Sequence, residues 1–161
     1  MKKRSALILG AGAILSLTAV ALRSKRAAEA PVRLANPFRD CDSPESAALA
    51  AGFSLTLPEA PEGYERQLIQ VMGESMIQAF YRRGEDRLLI RKATGDGDVS
   101  GDYNEYEESW TVNVGGSPVR LRGGDGMVSV ATWTRDGFTY AVDLDAPMEE
   151  GALIALVGQI F

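Results

Sequence analysis

The amino-acid sequence predicts an α+β fold: a curved antiparallel β-meander sheet packed against a C-terminal amphipathic helix, with a short N-terminal helix at the rim. Three observations lead to this prediction. Apolar and polar residues alternate along several short runs, tight glycine-containing turns separate the runs, and apolar residues recur at helical spacing near the C-terminus. A chain of 161 residues has room for one domain, which we assign to residues 41–161.

The domain begins with a helix signal. Ser43 suits the N-cap, Pro44 suits the first helical position, and Glu45 complements the positive end of the helix. The alanine-rich helix that follows is expected to continue to Ala51. It should end at Gly52, because glycine adopts the left-handed conformation that closes a helix.

Strand-like runs follow this helix. Residues 53–57 alternate apolar and polar side chains, which predicts a strand with one buried face. Further β-rich runs, separated by polar turns that contain glycine, lie near residues 65–72, 75–83, 86–94, 108–114, 118–122, 127–134 and 138–144. Such alternation is typical of an antiparallel sheet with one dry face and one wet face.

A helix closes the domain. Residues 145–147 (Asp-Ala-Pro) predict its start, and Leu153, Leu156, Val157 and Ile160 recur at helical spacing. This apolar stripe is expected to pack on the sheet. Four aromatic residues fall in the apolar alternation of the strands and are expected in the core: Trp110, Trp133, Phe138 and Tyr140.

The first residues carry an export pattern. A positively charged start at residues 1–4 precedes eighteen uncharged residues, 5–22, as export machinery requires. Residues 19–21 (Ala-Val-Ala) offer a cleavage site, whereas an uncut helix of about 27 Å, at ~1.5 Å per residue, would span a bilayer. We therefore predict a signal peptide or signal-anchor over residues 1–22, a tether over residues 23–40, and an extracytoplasmic protein that is membrane-anchored or secreted.

Charge is divided unevenly along the chain. Residues 1–30 hold six bases and one acid, whereas the remainder holds 11 bases and 21 acids. Because affinity for nucleic acid comes largely from Lys and Arg side chains that neutralise phosphates, this acidic body argues against nucleic acid as a partner. The predicted partners are an unknown protein or envelope component, and the membrane through the N-terminal segment.

Missing residue types exclude several catalytic sites. The chain has no histidine, so it has no Ser-His-Asp or Cys-His catalytic unit and no histidine-containing zinc site. Its single cysteine, Cys41, cannot form an internal disulfide. It is interpreted as a free thiol, with an intermolecular disulfide as the alternative. We predict that the chain is not an enzyme and has no catalytic residues.

One stretch has the spacing of a calcium-binding loop. Residues 96–108 hold six acids and no base, and calcium prefers about six to eight oxygen ligands. Gly101 would make the sharp turn of such a loop. The predicted calcium ligands are Asp96, Asp98, Ser100, Asp102 through its carbonyl, Asn104 and Glu107.

Two other interpretations of this stretch stay open. Its Gly, Asp, Ser and Asn residues also fit a long acidic loop between two strands, with solvated charges and with Arg91 and Lys92 as neighbouring cations. The run before it, residues 88–91, is strand-like where a calcium-binding EF-hand has a helix. The loop could instead contact a protein or glycan.

Carboxylates elsewhere fit structural roles. A glycoside hydrolase needs two acids about 5–10 Å apart across a cleft. Asp143 is expected as an outward strand residue and Asp145 as a helix cap, whereas Asp125 and Asp136 are expected in turns. A carboxylate-based hydrolase would need a cleft that gathers several of these acids.

Several local strings resemble a known family. They are Asn36-Pro37-Phe38, Ser43-Pro44-Glu45, residues 51–53 and 57–59, Pro61-Glu62-Gly63-Tyr64, residues 90–93 and 100–104, and Ala131-Thr132-Trp133. In this order, over residues 36–161, the chain resembles exported Gram-positive envelope proteins of the bacterial domain of unknown function 4367 type. The resemblance implies an extracytoplasmic location and an α+β fold, and it carries over no catalytic residues.

These observations predict a non-catalytic extracytoplasmic binding or sensory module of unknown ligand. The alternative is a calcium-binding or calcium-stabilised domain that uses the acidic loop 96–107. Apart from this Ca²⁺, no cofactor is predicted.

Overall fold

The computed structural model describes residues 36–160 of the chain. Within them the elements follow in the order β1 (Arg39–Cys41), α1 (Pro44–Ala51), β2 (Glu65–Met72), β3 (Met76–Arg83), β4 (Asp86–Thr94), β5 (Glu108–Val114), β6 (Ser117–Gly124), β7 (Met127–Arg135), β8 (Phe138–Glu149) and α2 (Glu150–Val157). The predicted α+β class is confirmed in its coarse form, as an eight-stranded antiparallel sheet with two short helices. The predicted signal segment and most of the predicted tether lie outside the described residues.

The sheet consists of two antiparallel meanders, not the single meander that the sequence predicts. The strand order is β1-β2-β3-β4-β8-β7-β6-β5. The two halves meet where residues 88–94 of β4 pair with residues 138–144 of β8. The connection from β4 to β5 must therefore pass β8, β7 and β6 before it reaches the far edge.

Two-residue turns fix the register of the second meander. Gly115 and Gly116 join β5 to β6, and Asp136 and Gly137 join β7 to β8, with positive φ at all four positions. Turns of this kind match the twist of the flanking strands. The six predicted runs between residues 65 and 134 agree with the observed strands to within two residues.

Helix α1 forms as predicted. The hydroxyl of Ser43 accepts a hydrogen bond from the backbone N–H of Ser46, and the hydroxyl of Ser46 accepts one from the N–H of Ser43, both at 3.1 Å. This reciprocal cap satisfies two donors at the start of the helix. Gly52, with φ 79°, ends it. Neither helix of the described chain is long and apolar enough to cross a membrane.

The core lies between one face of the sheet, here called the inner face, and the two helices. Helix α2 buries Leu153, Leu156 and Val157. The inner face contributes alternate residues of the strands, among them Ile69, Val71, Ile77, Tyr81, Leu88, Ile90, Val119, Leu121, Trp133, Tyr140 and Val142. Of the predicted core aromatics, Trp133 and Tyr140 are buried, whereas Trp110 and Phe138 are half-buried at its edge.

Residues 53–57 do not form the predicted strand. Leu55 is buried against the core, so the alternation of apolar residues reports burial correctly. The backbone is not paired with another strand, and the oxygen of Ser54 accepts a hydrogen bond from Lys92 Nζ at 2.7 Å. The alternation of apolar and polar residues predicts which side chains are buried, but it does not predict whether the backbone forms hydrogen bonds with another strand.

Two other element limits differ from the prediction. Strand β8 continues to Glu149, because residues 148–149 pair with 127–128 of β7 beyond a bulge. Helix α2 therefore begins at Glu150, and Asp145 is a strand residue, not the predicted helix cap. At the other end, residues 39–40 of the predicted tether form β1 together with Cys41, the first residue of the predicted domain, and β1 pairs with residues 69–71 of β2.

Candidate functional site

A long connection crosses the outer face of the sheet, opposite the helices. It comprises residues 95–107 and runs from β4, in the middle of the sheet, to β5 at the edge. We call it the crossover loop. Arg91 of β4 and Arg122 of β6 donate hydrogen bonds to it, so it lies over the sheet between these two strands. The acidic stretch of the sequence is this loop.

Arg91 supports the middle of the crossover loop. Its Nη1 donates to the backbone oxygens of Val99, at 3.0 Å, and Ser100, at 2.9 Å. Gly101 packs against the same guanidinium: its φ is 69°, and a Cβ atom there would lie 2.5 Å from Arg91 Nη1. Position 101 therefore requires glycine both for its backbone conformation and for this close approach.

Ser100 is the buried residue of the loop, with 2% of its surface exposed. Its hydroxyl donates to Asp98 Oδ1 at 2.6 Å and accepts from Arg122 Nη2 at 2.9 Å. Its backbone N–H also donates to Asp98 Oδ1, at 2.8 Å. The second carboxylate oxygen of Asp98 lies 3.5 Å from Arg122 Nη2. Three polar side chains are thus satisfied by one another.

These contacts set the protonation state of Asp98. Burial alone would raise the pKa of its carboxyl group, but the hydrogen bonds from Ser100 and the positive charge of Arg122 outweigh burial. The pKa of Asp98 therefore lies below its ordinary value. The group is ionised at neutral pH, and its charge is already compensated by its neighbours.

Asp102 organises the second half of the loop. Its Oδ1 accepts from the backbone N–H of Asn104 at 2.8 Å, and its Oδ2 accepts from the hydroxyl of Tyr106. Burial raises the pKa of Tyr106, and the neighbouring Asp102 raises it further, so this hydroxyl stays protonated and donates. The Tyr106 ring lies 5.7 Å from the guanidinium carbon of Arg122, which ties this half of the loop to β6.

Three of the six predicted calcium ligands lie around the guanidinium of Arg122. The oxygens of Asp98, Ser100 and Asp102 accept hydrogen bonds from Arg122, and Asp98 and Asp102 also accept bonds from within the loop. Of the remaining ligands, Asp96 lines one groove beside the loop together with Asp98, Asn104 lines a second groove together with Asp102, and Glu107 lies beside Gly124. Between residues 36 and 160, no group of three or more Asp, Glu, Cys or His side chains is placed to hold a metal ion. Calcium binding stays a prediction.

A row of side chains connects the crossover loop to the first strand. Arg91 Nε donates to Gln78 Oε1 at 2.8 Å, Gln78 Nε2 donates to Gln70 Oε1 at 2.7 Å, and Gln70 Nε2 donates to Asp40 Oδ1 at 2.7 Å. We call this row the amide relay. Every donor points the same way, from the guanidinium on β4 to the carboxylate on β1. Gln78 is buried, so its amide depends on these partners.

Two grooves flank the crossover loop. The first, of about 320 Å³, has threonine side chains and one arginine beside the acids of the loop: Asp96, Asp98, Thr111, Arg120, Thr132, Thr134 and Thr139. The second, of about 520 Å³, combines tyrosines with charged and amide side chains: Arg87, Asp102, Tyr103, Asn104, Tyr106, Asp143 and Asp145. Both are polar clefts open to solvent.

Arg87 holds two carboxylates at the second groove. Its Nη2 lies 2.6 Å from Asp143 Oδ2 and 3.0 Å from Asp145 Oδ1, and its backbone N–H donates to Asp145 Oδ2 at 3.0 Å. Burial raises the pKa of Asp143, although the positive charge of Arg87 opposes this shift. Acids with shifted pKa values in clefts recur at functional sites, and Asp98 gives the first groove such an acid too. The second groove is the stronger candidate because Tyr103 also lines it.

Tyr103 stands at the rim of the second groove with 96% of its surface exposed. Among the residues that the structure describes, the other exposed large apolar side chain is Leu49 of α1, at 88%. The residues on either side of Tyr103 belong to the hydrogen-bonded part of the loop. An aromatic side chain is thus presented to solvent from a backbone that is held in place.

Sequence reasoning missed Arg122, which holds the loop, and Gln78, which accepts a hydrogen bond from Arg91. Of the two cations predicted to neighbour the acidic stretch, Arg91 reaches it and Lys92 does not. Lys92 Nζ lies 4.2 Å from the centre of the Phe138 ring on the other side of the sheet. The sequence of β4 contained a signal for this difference. Side chains two residues apart in a strand lie on the same face, so Lys92 shares the face of Ile90, which faces the core.

The described geometry is that of a polar surface built around an anchored loop. Comparison with known proteins finds no matching family model, curated protein or solved structure at a significant level. The function must therefore be argued from the crossover loop and its grooves, and the resemblance to exported envelope proteins stays a hypothesis.

Proposed function

We propose that this chain is a non-catalytic extracytoplasmic binding or sensory module, whose ligand contacts Tyr103 and the second groove. The observation that carries the proposal is the 96% exposure of Tyr103 on a loop that Arg91, Arg122 and Asp102 hold in place. Tyrosine is enriched among the residues that dominate binding energy at interfaces. Its side chain supplies a large contact area and loses little conformational entropy.

The anchoring of the loop supports a binding role. A loop that is ordered before binding avoids the entropy loss of ordering it in the complex. The buried Ser100, the guanidinium of Arg91 and the glycine at position 101 fix the loop's central backbone through contacts within the chain. The second groove beside it offers both donors and acceptors to a polar ligand.

The residue types support a non-catalytic role. The chain has no histidine and one cysteine, so the side chains that most often transfer protons or attack substrates near neutral pH are missing or single. In the second groove, Arg87 is shared between Asp143 and Asp145. Their charges are engaged with this arginine.

The N-terminal sequence supports the proposed location. Its charged start and uncharged residues 5–22 have the pattern of an export signal. The partner is then a protein or another component of the cell envelope, with the membrane contacted through the N-terminal segment. Recovery of the full-length product from the soluble cytosol with Met1 intact would contradict this part of the proposal.

The finer details of the fold belong to the same proposal. A right-handed twist is general in sheets, and with eight strands we infer that this sheet is curved. We also infer that α2 is amphipathic, because Leu153 and Leu156 are buried whereas Gly151 and Ala152 are exposed. Both features would leave the outer face and its loop as the surface for ligands.

The test is site-specific photo-crosslinking in intact envelopes of the producing cell. The full-length chain carries the photoreactive residue at position 103 in one variant and at position 49 in a matched control, since Leu49 is similarly exposed on α1. We expect an adduct from position 103 that Asp143→Asn or Arg87→Gln weakens, and none from position 49. The absence of an adduct specific to position 103 would overturn the assigned surface.

A further inference from the structure

Among the strands that the structure describes, β5 is the last strand at the far edge of the sheet. It has seven residues, Glu108–Val114, and among the described strands it pairs with β6 alone. The strand at the opposite edge, β1, has three residues. Natural sheets guard long edges with proline, lysine, bulges or a covering segment. Strand β5 contains no proline or lysine, and its register with β6 runs without a bulge.

The turn after β5 determines which of its backbone groups face outwards. The turn of Gly115 and Gly116 closes the hairpin at the pair Val114–Ser117, and the closing pair of such a turn is hydrogen-bonded. Bonded pairs alternate along an antiparallel ladder, so alternate residues of β5 bond to β6. The backbone N–H and C=O groups of the other three residues point away from the sheet: Ser109, Thr111 and Asn113.

A second copy of β5 matches these groups. When two copies run antiparallel with Thr111 opposite Thr111, Ser109 of each copy falls opposite Asn113 of the other. In all three pairs the backbone groups of the two residues face each other, and each such pair exchanges two N–H···O=C bonds, which gives about six hydrogen bonds. Registers centred on any other residue leave at least one of the three outward residues without a counterpart in the strand.

The side chains of β5 fit the same register. Trp110 and Val112 lie on the inner face and are half-buried in the single chain. In the paired strands each Trp110 lies opposite Val112, and pairs of an aromatic and a β-branched residue stabilise sheets. Glu108 falls opposite Val114, so the pairing brings no like charges together.

We propose that two copies of this chain associate through β5 around a twofold axis at Thr111, which joins their sheets into one. A single pair of seven-residue strands is expected to bury less than the ~1,600 Å² of a standard interface, so we expect a weak dimer whose population rises with chain concentration. The proposal does not depend on the ligand surface at Tyr103, which lies on the crossover loop.

Disulfide trapping tests the register. In the full-length chain with Cys41→Ser, the variant Thr111→Cys places two thiols opposite each other, at a Cα separation of about 5.5 Å that suits a disulfide. The matched control Asn113→Cys places its two thiols about 13 Å apart, four residues along the strand. Under mild oxidation we expect about tenfold more covalent dimer from Thr111→Cys. Equal yields, or no dimer from Thr111→Cys at millimolar chain, would overturn the proposal.

A charge test needs no new cysteine. Ser109→Asp with Asn113→Lys creates two opposite-charge pairs in the proposed register, whereas Ser109→Asp with Asn113→Asp creates two like-charge pairs. An aspartate at position 109 still accepts from Arg120, whose Nε donates to Ser109 Oγ at 2.9 Å. By sedimentation we expect the first variant to dimerise about fivefold more tightly than the unchanged chain and the second about fivefold more weakly. Equal dissociation constants for the two variants would overturn the proposal, with thermal unfolding as the control for folding.

Discussion

Gln78 shows how a polar side chain is accommodated inside the sheet. It is 3% exposed, yet its oxygen accepts from Arg91 and its nitrogen donates to Gln70. A buried amide whose oxygen and nitrogen are both hydrogen-bonded contributes modestly to stability. When such an amide is removed, its former partners stay buried without a hydrogen bond, and their desolvation is no longer compensated. The loss of stability on removing the Gln78 amide should therefore come mainly from Arg91 and Gln70, which lose a hydrogen-bond partner.

We expect Gln78→Leu to lower the free energy of unfolding by about 1–3 kcal/mol, because Arg91 Nε and Gln70 Oε1 lose their partner. Urea unfolding measures this change. The matched control is Gln67→Leu on β2, where the exposed Gln67 side chain donates a long hydrogen bond, of 3.4 Å, to the backbone oxygen of Glu65. We expect the control to change stability by less than about 0.5 kcal/mol. Equal losses in the two variants would contradict the role of the amide relay.

Asp98 predicts a pH dependence. Its pKa is lower in the folded chain than its ordinary value, so the unfolded chain binds the proton more readily. The stability from Asp98 is then fully present above the ordinary pKa of the group and is lost as the pH falls through the lower, folded value. Asp98→Asn has no such group, so we expect its melting temperature to fall less steeply with acid. Parallel curves below about pH 4 for the two proteins would contradict this prediction.

At the scale of elements, the crossover loop is held by arginine side chains from two strands. Arg91 contacts its backbone and Arg122 contacts Ser100 and Asp98. A calcium ion bound by Asp98, Ser100 and Asp102 would have to displace the contacts of Arg122 with these residues. The positive charge opposite the acidic loop is supplied by the sheet.

We therefore expect millimolar Ca²⁺ to leave the melting temperature of the full-length chain unchanged, because a ligand that prefers the folded state must raise it. Scanning calorimetry with and without Ca²⁺ makes this measurement, with Mg²⁺ as the ionic control. A rise specific to Ca²⁺ that Glu107→Gln abolishes would contradict this expectation and support calcium binding by the loop.

Local elements could be predicted because their signals are local. The cap at Ser43 and the turns at Gly115 and Asp136 are encoded within a few residues, and the structure confirms each. The extension of β8 to Glu149 could not be predicted, because it depends on pairing with residues 127–128 of β7. The anchoring of the loop was missed for a similar reason: Arg122 lies 20 or more residues beyond its partners.

At the scale of the whole molecule, pairing between β4 and β8 unites the two meanders. Residues 88–94 and 138–144 are distant in sequence but form one ladder. No local sequence pattern predicts pairing between strands that are this distant in sequence. The sequence therefore indicated the hairpins but not their order in the sheet. The same ladder places both Arg91 and Asp143 on the outer face, and so the grooves too depend on this long-range contact.

This arrangement predicts that both halves unfold together. Trp110 and Trp133 report on the second meander, and the single cysteine, Cys41, accepts a fluorescent label in the first. We expect tryptophan fluorescence and the fluorescence of the label to give the same urea midpoint. Once the hydrogen bonds between β4 and β8 break, each meander loses the strand that pairs with its inner edge, so the two should unfold cooperatively. Two distinct midpoints would show that the halves are separately stable.

The amide relay also has a polarity. Each glutamine has one other orientation, a half-turn about its last bond, in which oxygen and nitrogen exchange places. In that orientation the carboxylate of Asp40 on β1 would have to donate a hydrogen bond and the guanidinium of Arg91 on β4 would have to accept one. Arg91 at one end of the relay can only donate and Asp40 at the other end can only accept, so these two charges together dictate how the amides of Gln70 and Gln78 are turned between them.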